Sequence, residues 1–574
     1  MSNRAIIRAL DALALYADLE GERFRVRAYR DAVDTIRAQR ISLTQLAEER
    51  GEAGLVALPK IGKGIAKKIV ELAKTGAIAE LESARGQHPF DIVDLTSVEG
   101  VGPKQARVLF DTLGVTSRAA LADAAKKGAL AKVPGFRGKK GARVARSLEA
   151  GIIDRSEVVG RVYVPARTVL EALAGEVELR GASFAGPLRR FDERVPCAQL
   201  LVGAEDRDAV ARVFQRLDGV DVVLDGLRVE HVDGFVAELT IVPPRAFGAA
   251  LLFATGSERH LESLATFAEM KGLRLDRDGV HRGTDLVAAE TEEAIYAALG
   301  LPFIPPELRD GEAEFRAIMA GGLPSLIEAP DVQGDLQTQT EWSDGRDSIE
   351  AMVAKARALG YAYFAVTDHS HGLGVAGGLD PERLAEQGDY IDALDAKLDD
   401  IELLKGSEVN ILADGSLDLP DESLKNLDFV GAAIHSAFDL DRAAMTARIV
   451  KAIEHPAVDV YFHPTTRVLG RRAPIDFDFD AVLAAAKRTG TALEIDAFAP
   501  RLDLSSTLIR RALEAGVELM LDSDAHRVAQ LDYSRDLGVP LARRGWARAA
   551  DVVNTRPAPE FRAWLRDRRA RAGW

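Results

Sequence analysis

Val98-Glu99-Gly100-Val101-Gly102-Pro103-Lys104-Gln105-Ala106 is the segment that decides how the first quarter of the chain folds. In this segment an apolar residue lies between two small or polar hairpin residues, and a helix is predicted to begin directly after them. Two further segments share this pattern: Leu58–Ala66 and Val133–Gly138. A Gly-rich turn that leads into a helix directs backbone N–H groups outward, where a phosphate can bind without any base being read. The repeat therefore predicts sequence-independent, salt-sensitive DNA binding.

These hairpins supply the candidate DNA contacts. For any single copy, a glycine that only forms a turn or a helix cap is an equally good interpretation. Three copies in a net-basic region favour DNA, because residues 1–150 hold 26 Lys and Arg against 18 Asp and Glu in a chain of net charge −15. The candidate DNA-binding residues are Lys60, Gly62, Gly64, Gly100, Gly102, Lys104, Gly135, Arg137, Lys139 and Lys140.

Length and composition exclude several protein classes. At roughly 100 to 200 residues per domain, a chain of 574 residues should form several domains. No apolar stretch is long enough to span a bilayer and the N-terminus lacks a secretory apolar region, so we expect a cytoplasmic, nucleoid-associated protein without a membrane partner. The single cysteine, Cys197, excludes an intramolecular disulfide and a CxxC zinc site.

The spacing of apolar residues changes twice along the chain. Residues 1–85 show helical periodicity, and from about residue 155 β-branched alternation predicts a mixed sheet with these strands: Val158–Val164, Gln199–Val202, Val220–Val223 and Val236–Val242. From Gly334 onward, short apolar strands alternate with helices: Tyr363–Val366, Ile401–Gly406, Phe429–Ile434, Val458–Phe462, Leu493–Ile495 and Leu519–Leu521. This pattern predicts a β/α barrel with its site at the carboxyl ends of the strands.

Histidines follow four of these predicted barrel strands. They are His369, His435, His463 and His526, and the carboxylates Glu408 and Asp344 complete the set. A lone histidine is usually structural, but a series at successive strand ends indicates a metal site, present or former.

Several motifs resemble those of the bacterial family X DNA polymerases that carry a C-terminal polymerase and histidinol phosphatase (PHP) domain. They are the three helix-hairpin-helix segments, Leu19–Tyr29, Thr255-Gly256-Ser257, Thr291–Pro302 with Pro305–Arg309, and the C-terminal third. The resemblance implies a multidomain α+β and α/β protein with a nucleotidyltransferase-type palm. The implied domains are a helical DNA-binding domain (1–85), fingers with two helix-hairpin-helix motifs (86–153), palm (154–245), thumb (246–318), linker (319–333) and PHP β/α barrel (334–574).

The resemblance also implies how the barrel holds metal. Relatives bind three cations and supply a His-x-His pair from the first strand, but Gln337 and Gln339 occupy these positions here. By analogy, one cation, Mn or Zn, would be held by Glu408, His435 and His463, and another by Asp344, His369 and His526. Asp524 would remain as a ligand of the third cation. That cation should bind weakly, because a Gln carbonyl is a weak neutral ligand.

The palm departs further from the family pattern. The two aspartate positions hold Cys197 and Gln199, and Glu238 stands at the third carboxylate position. The nucleotide contacts have changed as well, to Pro187, Leu261 and Ala265. One carboxylate cannot replace three, so Mg or Mn binding in the palm is doubtful, although Asp192, Glu193 or Asp233 remain as substitute ligands and dNTP as a further partner. We favour a palm kept as a scaffold that holds DNA.

Lys68 matches the family lysine that forms a Schiff base with a 5′-deoxyribose phosphate, although phosphate binding is the more ordinary role for it. The expected function is a DNA-repair protein that binds gapped, nicked or broken DNA, with a degenerate polymerase site and a partly retained metal-dependent 3′ to 5′ nuclease site. Two alternatives stay open: a non-catalytic scaffold that binds DNA ends, and a weak Mn-dependent gap-filling polymerase.

Overall fold

The structure, a computed structural model, describes residues 2–38, 41–98, 100–137, 141, 144, 145, 148 and 156–574. Its first part is helical, as the periodicity predicts. The helices there are Asn3–Leu19, Arg23–Ala38, Leu43–Val56, Lys63–Thr75, Ala79–Gln87, Ile92–Thr96, Pro103–Leu113 and Arg118–Lys126.

Two of the predicted hairpins open a helix. Helix Lys63–Thr75 begins after Gly62, buries Ile65 and Ile69, and ends at Gly76, whose φ of +77° is a left-handed conformation that glycine adopts without strain. Helix Pro103–Leu113 begins after Gly102, with proline at its first position, where no N–H is needed. Most of the residues that follow the third hairpin lie outside the described part of the chain.

The middle of the chain forms a mixed sheet. The strands of this region are β1 (Glu157–Val158), β2 (Gly181–Phe184), β3 (Arg194–Val195), β4 (Ala198–Gly203), β5 (Val220–Asp225), β6 (Arg228–His231) and β7 (Val236–Val242). β1 and β3 form a small separate pair, and the other five form the mixed sheet. The sheet has the order β2-β4-β7-β6-β5, and β4 and β7 run parallel at its centre. Helices Val159–Glu176, Gly186–Arg189 and Arg207–Phe214 accompany it.

One predicted strand of this region is wrong. Residues Val158–Val164 enter a helix, Val159–Glu176, directly after the two-residue strand β1. The buried side chains of that helix include Val159, Val162 and Ala166, a spacing of three and four residues. Burial along one helical face therefore outweighs the β preference of the valines.

A smaller unit follows the mixed sheet. It contains the helices Phe247–Thr255, Glu258–Met270, Glu292–Ala298 and Ala313–Ala320 and the antiparallel strands β8 (Arg274–Asp276), β9 (Gly279–Arg282) and β10 (Asp285–Ala288). Its core is separate from the main one and includes Leu252, Leu264 and Tyr296.

The last part of the chain is the predicted β/α barrel. Within residues 334–574, all of which are described, seven parallel strands pair in sequential order: β11 (Gly334–Asp335), β12 (Tyr363–Val366), β13 (Glu402–Asn410), β14 (Phe429–Ala433), β15 (Val460–Tyr461), β16 (Ala492–Asp496) and β17 (Leu519–Asp522). A parallel bridge between Thr338 and Ala525 joins the first strand to the last, so the ring is nearly closed. The surrounding helices are Ile349–Ala358, Pro381–Asp395, Asp421–Lys425, Arg442–Ile453, Phe479–Thr489, Ser506–Ala515, Val539–Arg544 and Ala558–Arg571.

Ion pairs join the barrel to the mixed sheet and its helix. Arg167 makes two hydrogen bonds of 2.5 Å to Asp536, Arg467 lies 2.7 Å from Glu193, and Arg544 lies 2.6 Å from Asp192. The predicted domain limits remain predictions. Among the described residues, no helix is both long and apolar enough to cross a membrane.

Candidate metal centre

The predicted metal ligands all lie at the carboxyl ends of the barrel strands. Asp344 is in the loop after β11, His369 follows β12, Glu408 lies near the end of β13, and the others follow later strands: His435 after β14, His463 after β15, Asp524 and His526 after β17. Because parallel strands end at the same edge of a barrel, residues far apart in sequence converge there.

The structure brings six of these residues into one continuous group. The ligand atoms of Asp344, His369 and His526 lie within 4.8 Å of one another, and so do those of His369, Glu408 and His435. His463 Nε2 lies 2.8 Å from Glu408 Oε1. His369 adjoins both predicted ligand sets, since its Nε2 is 3.4 Å from Asp344 and its Nδ1 is 3.2 Å from Glu408.

The hydrogen-bond network around His435 shows that this group fits a cation. The Asn410 amide donates through Nδ2 to Asp418, so its Oδ1 is left to accept, at 2.6 Å, from His435 Nδ1. His435 Nε2 is then a lone-pair nitrogen that faces Glu408 Oε1 at 3.0 Å, and it is buried without a hydrogen-bond donor. Two acceptors held this close need a shared cation, and because burial lowers the pKa of His435, a metal ion is favoured over a proton at this place.

The ionisation of the group agrees with this interpretation. Burial, with the nearby charge of Arg501, lowers the pKa of His463 to about 3, and burial also lowers the pKa of His435. Burial by itself would raise the pKa of Glu408, but the imidazoles of His369 and His435 outweigh it and hold that pKa well below its ordinary value. An ionised carboxylate beside imidazoles that lose their proton readily, as those of His435 and His463 do, is a donor set that binds Zn²⁺ or Mn²⁺.

The backbone at this edge is constrained where the ligands project. His463 and Asp524 both have positive φ values, +29° and +51°. Non-glycine residues with such angles persist where the surrounding structure enforces them, and they concentrate at functional sites. The loop before Asp344 is held by buried Asp368, which accepts hydrogen bonds from Thr340 Oγ1 at 2.6 Å and from Gln387 Nε2 at 2.7 Å.

The third cation position does not fit a metal. Gln339 Nε2 donates to Glu408 Oε2 at 2.7 Å, and the Gln337 amide faces the buried carboxylate of Glu494. Asp524, whose pKa burial raises to about 6, lies 3.6 Å from the guanidinium of Arg501. Protein N–H donors therefore occupy the carboxylates that a third ion would need.

Sequence reasoning missed three residues of this centre: Asn410, Asp368 and Arg501. Asn410 and Asp368 occur at strand ends among the predicted ligands, and that position was the one available signal. Arg501 lies in the loop after β16, and nothing in its local sequence indicates that it reaches Asp524.

The palm positions converge as the alignment predicts, but they do not form a metal site. Gln199 and Glu238 are register partners on the parallel strands β4 and β7, and Cys197 Sγ lies 3.6 Å from Glu238 Oε2. Burial, reinforced by the charge of Glu238, raises the pKa of Cys197 to about 11, so the thiol is protonated at neutral pH. A protonated thiol is not a metal ligand.

The substitute carboxylates of the palm are already paired. Asp192 binds Arg190 at 2.5 Å and Arg544 at 2.6 Å. Glu193 binds Arg467, and Asp233 lies 3.2 Å from His231. Among the described residues, groups of ligands able to hold a metal are found in the barrel alone.

The described hairpin residues lie on the surface. Lys60, Gly62, Gly64 and Lys104 are exposed or nearly so, and no atom lies within 4 Å of a Cβ built on Gly62 or Gly64, so the space in front of these turns is open. Gly100 and Gly135 have left-handed φ angles of +87° and +79°. Arg137 is exposed, whereas Lys139 and Lys140 lie outside the described residues.

Lys68 is held in an ion pair. Its Nζ lies 2.9 Å from Glu80 Oε2, and Tyr29 donates to the other oxygen of the same carboxylate at 2.9 Å. The amine of Lys68 is therefore engaged by a carboxylate, and a nucleophilic role would require this ion pair to open.

Four family models match parts of the chain. A helix-hairpin-helix domain family matches residues 1–78, a SAM-like helix-hairpin-helix tandem matches 92–150, the DNA polymerase beta thumb matches 250–310, and the PHP domain matches 335–466.

Curated relatives agree with these matches. The chain is 33% identical over 576 residues to the DNA polymerase/3′-5′ exonuclease PolX of Bacillus subtilis, covering 99% of this chain and all of the relative. A probable phosphatase of Thermoanaerobacter sp. (strain X514) is 31% identical over 192 residues, which are 31% of this chain and 74% of that protein. A probable phosphatase of Caldicellulosiruptor saccharolyticus is 28% identical over 203 residues, which are 33% of this chain and 80% of that protein.

Proposed function

This chain belongs to the bacterial family X DNA polymerases with a C-terminal PHP domain, and on that premise we propose that its chemistry has moved from the palm to the barrel. In this proposal the protein binds gapped, nicked or broken DNA through its helix-hairpin-helix segments, on the nucleoid DNA of the cytoplasm. The barrel digests 3′ ends, and the palm serves as a scaffold that does not polymerise efficiently.

The observation that carries the proposal is the contrast between the two sets of ligands. The barrel gathers three histidines around the ionised Glu408, and it adds Asp344 and His526 beside His369. The palm offers one carboxylate, one amide and one protonated thiol. Nucleotidyl transfer needs clustered carboxylates to hold two cations, and among the described residues the barrel alone has ligands for more than one ion.

In the barrel, Glu408, His435 and His463 would hold one Mn²⁺ or Zn²⁺, and Asp344, His369 and His526 would hold another. When bound, the two ions supply an activated water and neutralise charge on the phosphodiester. The residues of the chain orient these ligands: Asn410 fixes the ring of His435, and Asp368 fixes the loop that carries Asp344. Gln337 and Gln339 keep the third position closed.

The alternatives have less support. A scaffold without activity does not account for the His435 lone pair that faces Glu408. A lyase role for Lys68 would require its ion pair with Glu80 to open. We therefore assign Lys68 to phosphate binding and Glu238 to no required catalytic role.

The test follows both activities on one substrate. A gapped duplex with a labelled primer is incubated with dNTPs and Mn²⁺, using wild type, the double variant His435→Ala/His463→Ala and, as a matched control, His455→Ala, which lies outside the centre. We expect wild type and His455→Ala to shorten the primer and the double variant to leave it intact. Shortening that persists in the double variant would refute the barrel as the nuclease.

A further inference from the structure

A depression beside the loop of Asp344 has the walls of a base-binding site. It is open to solvent, has a volume of about 410 Å³, and is lined by Glu341, Trp342, Ile349, Glu350, Arg383 and Tyr390. This volume falls within the range of about 300 to 1,000 Å³ that small-molecule sites occupy. The rings of Trp342 and Tyr390 form one wall, with centroids 6.2 Å apart and planes inclined at 51°.

The wall is fixed relative to the candidate metal ligands. Arg383 donates through Nη2 to the carbonyl of Trp342 at 2.8 Å and through Nη1 to the carbonyl of Gly377 at 3.1 Å. On the other side of Trp342, Thr340 donates to buried Asp368. Asp344 follows Trp342 by two residues in this same anchored loop, so the aromatic wall and the candidate ligand are close neighbours in the chain.

The charges in the depression select what can enter it. Glu341 and Glu350 line it, and the guanidinium of Arg383 is engaged with backbone carbonyls, so a phosphate would meet net negative charge. A nucleobase is neutral, presents a face to aromatic rings and presents N–H groups to carboxylates. Tyr390 is 40% exposed and its hydroxyl donates to Glu350, so its ring is held in place with part of its surface open for such stacking.

We propose that the Trp342–Tyr390 depression stacks the nucleobase of the terminal 3′ nucleotide while its phosphodiester lies at the ligands around Asp344. The proposal rests on the nuclease function proposed above and specifies its substrate as a frayed, single-stranded 3′ end. Stacking accepts every base, so the subsite is sequence-tolerant, in keeping with sequence-independent binding by the hairpins.

A binding measurement tests the subsite without any turnover. Oligonucleotides carrying 2-aminopurine either at the 3′ terminus or at an internal position are bound to the full chain in the presence of EDTA. We expect quenching of the terminal probe by wild type and by Tyr390→Phe, which keeps the ring, and loss of that quenching in Tyr390→Ala. Equal quenching of the terminal probe in Tyr390→Ala would overturn the proposal.

A kinetic measurement separates this proposal from the nuclease function itself. On a normal 3′ end, we expect Tyr390→Ala and Trp342→Ala to slow digestion roughly tenfold or more, the effect of losing one stacked base. Trp342→Phe should restore most of the rate. On a 3′ end that lacks its terminal base, wild type and all variants should digest at the same slow rate. If wild type digests neither substrate, the nuclease function fails; if it digests normally and the alanine variants equal it, the subsite alone fails.

Discussion

The palm and the barrel both position their candidate ligands by pairing parallel strands. They differ in the side chains that these strands carry. In the palm, parallel strands β4 and β7 bring Gln199 and Glu238 into register beside Cys197. In the barrel, seven parallel strands bring histidines and carboxylates to one edge. In the proposed account, the palm therefore keeps the geometry of a metal site without its chemistry.

The comparison also shows how the carboxylates of the two regions are paired. In both regions the remaining carboxylates are bound by protein donors: Asp192 and Glu193 by arginines near the palm, and Glu408 and Asp524 by Gln339 and Arg501 in the barrel. Buried charge must be paired, and amide or guanidinium groups supply that partner beside a cation or in its place.

Chelation should produce the largest difference between the two regions. Removing ions held at about a thousandfold excess over their dissociation constant lowers the free energy of unfolding by about 4 kcal/mol. We expect EDTA to accelerate hydrogen exchange in β12 to β17 and to leave β4 and β7 unchanged. The variant His435→Ala/His463→Ala is the control and should respond weakly, while an EDTA response centred on the palm strands would reverse the comparison.

The reactivity of Cys197 should expose the palm as a protonated, metal-free site. With its pKa raised to about 11, Cys197 is a thiol at pH 8, and its thiolate fraction is about a hundredfold below that of an ordinary cysteine of pKa about 8.5. Alkylation should be slow at pH 8, rise about tenfold per pH unit toward pH 11, and be unaffected by Mn²⁺. Rapid alkylation at pH 8, or protection by Mn²⁺, would contradict this account.

Loss of the Asn410 contact should weaken metal binding in the barrel without removing a ligand. Asn410→Ala frees the ring of His435, and losing such an orienting partner lowers metal affinity by roughly tenfold to a hundredfold. Titration of the stripped protein with Mn²⁺ measures this. Asn426→Ala, at an exposed helix end, is the matched control, and equal affinities in the two variants would remove the role given to Asn410.

The smallest effect is expected at Glu238. Glu238→Gln should alter both primer extension and 3′ digestion by less than about twofold, the range of a near-neutral substitution. Primer extension by wild type that disappears in Glu238→Gln would show that the palm still polymerises.

The sequence predicts most of this architecture because local patterns set it. Short apolar runs bounded by polar residues mark the barrel strands, and the residues just after them must converge wherever parallel strands form a ring. That rule is sufficient to collect His369, His435, His463 and His526 at one edge. The change of two ligand positions to Gln337 and Gln339, in contrast, follows from the family resemblance and not from this rule.

Other features depend on contacts that no local pattern contains. The valines of Val158–Val164 predict a strand, yet the buried face offered by the mixed sheet selects a helix. Arg501 and Asp524 are 23 positions apart in the sequence, and the parallel pairing of β16 with β17 brings them together. The contacts between palm and barrel, such as Arg167 with Asp536, are likewise set by tertiary packing.

The most direct test of the central claim is the location of bound Mn²⁺ in crystals of the full chain, read from its anomalous scattering. We predict peaks between Glu408, His435 and His463 and between Asp344, His369 and His526, with none beside Cys197. A peak between Cys197 and Glu238, together with an empty barrel, would contradict the transfer of chemistry from the palm to the barrel.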